Sequence, residues 1–190
     1  YLNINKIIFN KYNNPLTKIN SNYYILILQS NKINIDLATI SKFSSISLPK
    51  INTLERNNWQ ILWSNMIDYY ETQIGENSKK YPLIRESFDY FIGLAENAIS
   101  YLTYTKKETP KTIYDNKVLS HNNLYHSLED PLNIIIDHKS RDLAEYIKIS
   151  FFNNNKNIFQ ELDNYFYYQK YSDYGIRVLF SRILYPSFYF

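Results

Sequence analysis

No cysteine occurs among the 190 residues, which excludes disulfides, thiolate zinc sites and cysteine nucleophiles. Glycine is nearly as scarce. Gly75, Gly93 and Gly175 are the only three, and none lies near the start. A Gly-rich phosphate loop of Walker type and a nucleophile elbow are both absent. No run of about 18 uninterrupted apolar residues exists, so no transmembrane helix is expected. Formal charge is only +3, without a dense Lys/Arg block, which is too weak to argue for nucleic acid. Internal repeats and a secretory signal are also missing. The chain begins at Tyr1 rather than Met, so residues upstream are expected to be missing.

Asn, Ile, Lys, Tyr and Phe are abundant instead, and an AT-rich coding sequence is the simplest source of most of the 20 tyrosines. Residues 4–12 and 16–29 are rich in Ile, Tyr and Phe and read as strands, with Asn13-Asn14-Pro15 as the turn between them. The uninterrupted apolar run 23–28 predicts a buried strand, which Gln29-Ser30-Asn31-Lys32 breaks. From there the period becomes helical. Residues 36–43 form a short helical segment. Trp59, Leu62, Trp63, Met66 and Tyr70 give one amphipathic helix, and Phe88, Phe91, Ile92, Ala95, Ile99 and Leu102 a stronger one. Gly93 interrupts the latter at about 1 kcal/mol against alanine, which predicts close packing against a neighbour. Residues 106–117 carry Pro110 and read as a loop. Leu143, Ile147 and Phe151 line a helix that Ser140 can cap and that Asn153-Asn154-Asn155 stops. Two helices follow: Ile158, Leu162, Tyr165 and Gln169 mark the first, and Ile176, Leu179, Phe180 and Ile183 the second, with Pro186 ending it.

The organising stretch is 118–148. It reads as an apolar entry (Val118, Leu119), a polar loop (His121, Asn122, Asn123), a short strand over 133–136, Asp137 at the strand's end, and a helix from about Arg141. Kinase-like phosphotransferases place a His-x-Asp loop, a metal-holding Asn and a magnesium-holding Asp in this order. On that pattern His121 takes the His position, Asn123 the base, Leu128 the metal Asn and Asp137 the magnesium Asp. An amide has no basic site near neutral pH, and Leu128 cannot ligate a metal. Glu129 and Asp130 replace the lost carboxylates only if the loop carries an insertion. Asp137 has a plainer alternative, capping the turn before Ser140 or pairing with Arg141. His121 reads as structural, and Arg141 with Asp142 as a structural ion pair tying the loop to the helix. His121, His126 and His138 with Asp137 supply zinc donors on paper, at a spacing that matches no standard zinc motif.

The flanks carry a family likeness. Gly93-Leu94-Ala95-Glu96-Asn97-Ala98-Ile99 with Tyr101-Leu102, and Asp137-His138-Lys139-Ser140-Arg141-Asp142-Leu143-Ala144-Glu145, resemble the YutH-type endospore coat-associated proteins. Trp59 to Trp63 and the end of the chain from Leu184 fit the same family more loosely. The resemblance implies an α+β, protein-kinase-like fold of the aminoglycoside phosphotransferase type. Residues 1–31 would be a remnant of the small lobe with its hinge, and 32–190 the helical large lobe. The phosphate-covering loop and strand lysine would lie upstream of Tyr1. The resemblance also implies a pseudokinase with a structural or interaction role in the bacterial spore coat, made in the mother-cell cytoplasm, with spore coat proteins as partners. No cofactor is expected on that reading. The alternative is an active small-molecule or protein phosphotransferase using ATP and magnesium, with Asp137 holding the metal.

One helix is aromatic on all sides. Tyr165, Tyr167, Tyr168, Tyr171 and Tyr174 outnumber what one buried face can use, which marks a candidate partner surface. Codon bias and the tolerance of tyrosine for water give the plainer alternative.

Overall fold

The turn residues set the first sheet. In the computed structural model, which describes residues 4–48, 52–77, 80–110, 117–124, 126 and 128–190, the chain opens with β1 (Lys6–Ile8), β2 (Leu16–Ile19) and β3 (Asn22–Leu28). These pair antiparallel in the order β1-β3-β2. Asn10 Oδ1 accepts from the backbone N–H groups of Tyr12 and Asn14, and Asn13 takes φ 56°, so the first turn is built from asparagine. Asn20 at φ 55° makes a second, two-residue turn that divides the stretch 16–29 into two strands, since Ile19 faces Asn22. The expectation of a buried strand over 23–28 is corrected. Tyr23, Leu26 and Leu28 are 64%, 66% and 59% exposed, because no other described element covers either face of this sheet.

Among the described residues six α-helices follow: α1 (Leu37–Ser44), α2 (Trp59–Asn77), α3 (Pro82–Glu108), α4 (Ser140–Phe152), α5 (Ile158–Tyr168) and α6 (Asp173–Leu184). Asp36 caps α1 through Thr39 N–H, and Ser172 caps α6 through Gly175 N–H. Proline at the first turn of α3 needs no donor there. That helix runs on to Glu108, past the expected start of a loop at 106, and stops before Pro110. Residues 111–116 of that loop lie outside the described residues. A two-stranded antiparallel sheet, β4 (Lys117–His121) with β5 (Ile134–His138), sets Val118 opposite Asp137 and His121 opposite Ile134. The chain is therefore α+β.

The main core joins Trp63 and Ile67 of α2, Phe88, Ile92, Ala95, Ala98 and Leu102 of α3, and Tyr174 and Val178 of α6. A second cluster sets Ile40 and Phe43 of α1 against Leu124, Leu128 and Tyr146, and a third sets Leu143 and Ala144 against Tyr165 and Leu179. Several expected core positions are corrected. Leu62, Met66, Phe151, Ile176, Phe180 and Ile183 are exposed, because no neighbouring element covers enough of the faces they occupy; Phe180 keeps an edge contact with Tyr101 of α3. A Cβ at Gly93 would meet nothing within 4 Å, so close packing is not the reason for glycine there. Ser140 does not cap α4 with its side chain. It is the first residue of the helix, and its Oγ bonds to His138 Nδ1 instead.

Candidate functional site

The β4–β5 hairpin delivers its polar residues to one end of the α3–α6 pair. Asp137, the fourth residue of β5, is 1% exposed. Its Oδ1 accepts from Arg182 Nη2 at 2.9 Å, Trp59 Nε1 at 3.0 Å and the His138 backbone N–H at 2.6 Å. Its Oδ2 is buried and has no hydrogen-bond partner among the described residues. Arg182 is itself buried on α6. The guanidinium groups of Arg141 and Arg182 both lie against the Trp59 ring, 4.4 and 4.6 Å from its centroid. Asp137 thus pairs neither with Arg141 nor as a turn cap alone. Its partner is a buried arginine 45 residues away.

His121 ends β4 rather than lying in an open loop, and it is 1% exposed. Asp142 accepts from the His121 backbone N–H at 3.0 Å, and its other oxygen meets His121 Nδ1 at 2.7 Å. Arg141 donates to the carbonyl oxygens of His121, at 3.3 Å, and of Asn122, at 2.6 Å. The expected ion pair between Arg141 and Asp142 is thus corrected. Each residue separately ties the end of β4 to the first turn of α4, because their side chains leave the helix in different directions. Burial and the charge of Arg182 hold the Arg141 guanidinium below its usual pKa, against the attraction of Asp137 and Glu145.

Asn123 is half-buried. Its backbone N–H donates to Asn133 Oδ1, and its carbonyl accepts from Asn133 Nδ2. Leu128 is 1% exposed inside the α1 cluster, far from any ligating role. Glu129 is buried and accepts from Ile33 N–H, and Asp130 caps the short 3-10 turn before β5 through Leu132 N–H. Neither carboxylate is among the residues lining the cavities beside Asp137. Among the described residues no group of three metal-ligating side chains gathers, and His126 is exposed, so the zinc reading finds no assembled donor set. The donor set also fits magnesium poorly. One oxygen of Asp137 is taken by three donors, two of them from a cation and an indole, and Leu128, the residue expected at the second ligand position, lies in the core.

Two cavities meet here. The smaller, about 170 Å³, is lined by Asp137, Lys106, Lys117 and Tyr174 among others. The larger, about 730 Å³, is lined by Asn123, Arg141, Glu145 and Lys148 with an aromatic wall of Trp63, Tyr185 and Phe188. Trp63 and Tyr185 stack at 4.4 Å. Lys148 donates to Tyr185 O at 3.0 Å and Ser187 Oγ at 2.7 Å, which fastens the C-terminal segment over the cleft.

Sequence reasoning missed Arg182, Trp59 as a hydrogen-bond donor, Arg56 and Lys148. Arg182 carried a legible signal. It continues the series Tyr174, Val178 at spacing four on the buried face of α6, where a charge demands a partner. The proposed aromatic partner surface divides. Tyr165 and Tyr174 are buried and Tyr171 is half-buried, whereas Tyr167 and Tyr168 are 70% and 78% exposed. The two buried rings are corrected out of that surface, because α5 and α6 use them to pack.

Comparison with known proteins agrees with the motifs. Residues 2–190 match the family described as "Spore coat putative kinase YutH", and the chain belongs to this spore coat family. It is similar to the endospore coat-associated protein YutH of Bacillus subtilis (strain 168), at 30% identity over 151 residues, which cover 70% of this chain and 44% of that protein. The chain spans less than half the length of this relative. No solved structure matches it. No helix among the described residues is long and apolar enough to cross a membrane.

Proposed function

We propose that this protein is a kinase-like pseudoenzyme that works at the spore coat by being bound, not by transferring phosphate. The observation that carries the reading is the engagement of Asp137 by Arg182 and Trp59 in a buried setting. A guanidinium stands where a phosphotransferase would need a metal ion, and the base position holds an amide. The scaffold around it stays ordered: His121 is tied to Asp142, and β4 to β5. The hairpin, the His–Asp tie and the helical body suit the large lobe of a protein-kinase-like fold. Residues 1–31 suit a remnant of the small lobe and its hinge. Coat association comes from the family and its relative's name, and coat proteins are the proposed partners.

The contact surface we assign is the exposed side of α5, where Tyr167 and Tyr168 meet edge to face at 5.0 Å. Aromatic anchors dominate the cores of interfaces. Replacing both by serine should leave folding intact, since exposed substitutions change stability by about 0.5 kcal/mol or less. The coat-bound fraction in spores should fall. An unchanged fraction with a folded variant excludes this surface, and a protein found only in vegetative cytoplasm excludes the coat role.

A second reading has one observation behind it. Asp137 Oδ2 is free to accept, which suits an active phosphotransferase using ATP and magnesium. Magnesium-dependent phosphoryl transfer by the purified protein, lost on Asp137→Ala, would establish that reading and overturn the first.

A further inference from the structure

The two cavities beside Asp137 share Arg56, Trp59 and Arg182 as walls, and positive charge dominates both. Three of the cations in these walls have a carboxylate partner. Lys117 pairs with Glu55, Lys148 with Glu145, and Arg182 with Asp137. Arg56 and Arg141 have no carboxylate at ion-pair distance among the described residues. Arg141 uses its donors on the carbonyls of His121 and Asn122, whereas the Arg56 guanidinium makes no hydrogen bond among the described residues. Arg56 is nevertheless held in place. Its backbone N–H donates to Ile136 O at 2.9 Å, beside the bridge between Glu55 and Ile136, one residue before Asp137. Arg182 Nε is buried in the same wall, with no hydrogen-bond partner among the described residues. The repulsion is felt: Lys106, like Arg141, is held below its usual pKa by burial first and by Arg182 next.

Each cavity has one carboxylate in its wall, Asp137 in the smaller and Glu145, paired with Lys148, in the larger. Only the larger, at about 730 Å³ against about 170 Å³, has room for an organic anion. The larger cleft far exceeds a bare oxyanion, and its far wall is the aromatic surface of Trp63, Tyr185 and Phe188. Two guanidinium groups without a carboxylate at ion-pair distance suit a dianion, and the open planar fork of Arg56 suits phosphate oxygens. We infer that the larger cleft binds a phosphate monoester directly, without a metal ion, with Arg56 as principal donor and the organic group against the aromatic wall. The inference rests on the proposed function only in that Arg182 stays on Asp137.

Calorimetric titration of the purified protein with phenyl phosphate and with inorganic phosphate, in EDTA and in magnesium, tests it. Binding of phenyl phosphate should be equal in both buffers, tighter than that of inorganic phosphate, and weakened by 0.5 M salt, about five times the ionic strength at which screening already acts over about 10 Å. Arg56→Ala should weaken it by roughly tenfold or more, as the loss of a charge-assisted hydrogen bond implies, and Arg56→Lys should keep part of it. The Arg56 side chain makes no hydrogen bond or ion pair among the described residues, so both variants should melt like wild type. No binding by folded wild type, equal affinity in Arg56→Ala, binding only with magnesium, or inorganic phosphate binding as tightly would each overturn the inference. Absence of binding together with absence of phosphoryl transfer sinks the inference alone, whereas transfer from ATP sinks the pseudoenzyme reading.

Discussion

Arg182 Nη2 lies 2.9 Å from Asp137 Oδ1, and the two side chains are 5% and 2% exposed. A charge pair this deeply buried gains little net stability, because desolvation offsets most of the attraction. Removing one partner is a different matter, since the other charge is then stranded. Asp137→Asn and Arg182→Met should each cost about 3–5 kcal/mol. The double variant should cost clearly less than the sum. Urea unfolding of the four proteins measures the coupling, and strict additivity would show that the pair does not act as a unit.

Asp142 ties β4 to α4 in a similar way, with a backbone and a ring contact to His121. Asp142→Ala leaves the His121 N–H and ring nitrogen buried without an acceptor, at about 1–3 kcal/mol for each. The loss should be local as well as global. Hydrogen exchange at the His121 and Asn122 amides should accelerate more than in α3, and uniform acceleration would contradict a local tie.

Much of this site was legible before the structure. A carboxylate after an Ile-rich run, followed by Ser-Arg-Asp, places Asp137, Arg141 and Asp142 correctly on β5 and the first turn of α4. The partners of Asp137 were not legible, because Trp59 lies 78 residues away and Arg182 lies 45 away, and only tertiary packing joins them. Helix existence followed from periodicity, and Leu143 and Leu179 are buried as expected, but part of the stripe was misplaced on α2, α4 and α6. Ile and Phe also occupy exposed positions there, such as Phe151 and Ile176, so the contrast between the faces is blurred. The run 23–28 misled for the same reason: apolar composition predicts burial only when another element covers the strand.

Gly93 gives a clean stability test. It stands inside α3, with a helical neighbourhood on both sides and nothing within 4 Å of an added Cβ. Gly93→Ala should therefore stabilise by about 0.5–1 kcal/mol through lower unfolded-state entropy and better helix propensity. A melting temperature rise of about 1–4 °C is expected for a chain of this size. A fall would reveal a clash that the geometry does not contain.

Alkaline pH offers a probe of the second core cluster. Tyr146 packs with Ile40, Phe43, Leu124 and Leu128, and its Oη donates to Glu161 Oε2 at 2.7 Å. Burial first, then the hydrogen bond to the Glu161 carboxylate, pushes the phenol up to about 12 from its usual 10.0. The raised value means that the folded state favours the neutral phenol more than the unfolded state does. Its stabilising contribution is thus fully present below pH about 10 and is lost as pH rises to about 12. Tyr146→Phe removes both the hydrogen bond and the ionisable group. The variant should be less stable than wild type near neutral pH, and the gap should narrow between pH about 10 and 12. Absorbance titration at the tyrosinate band should show one fewer late-titrating tyrosine in the variant. A gap that stays constant across that range would place the Tyr146 titration elsewhere and sever its link to the Glu161 contact.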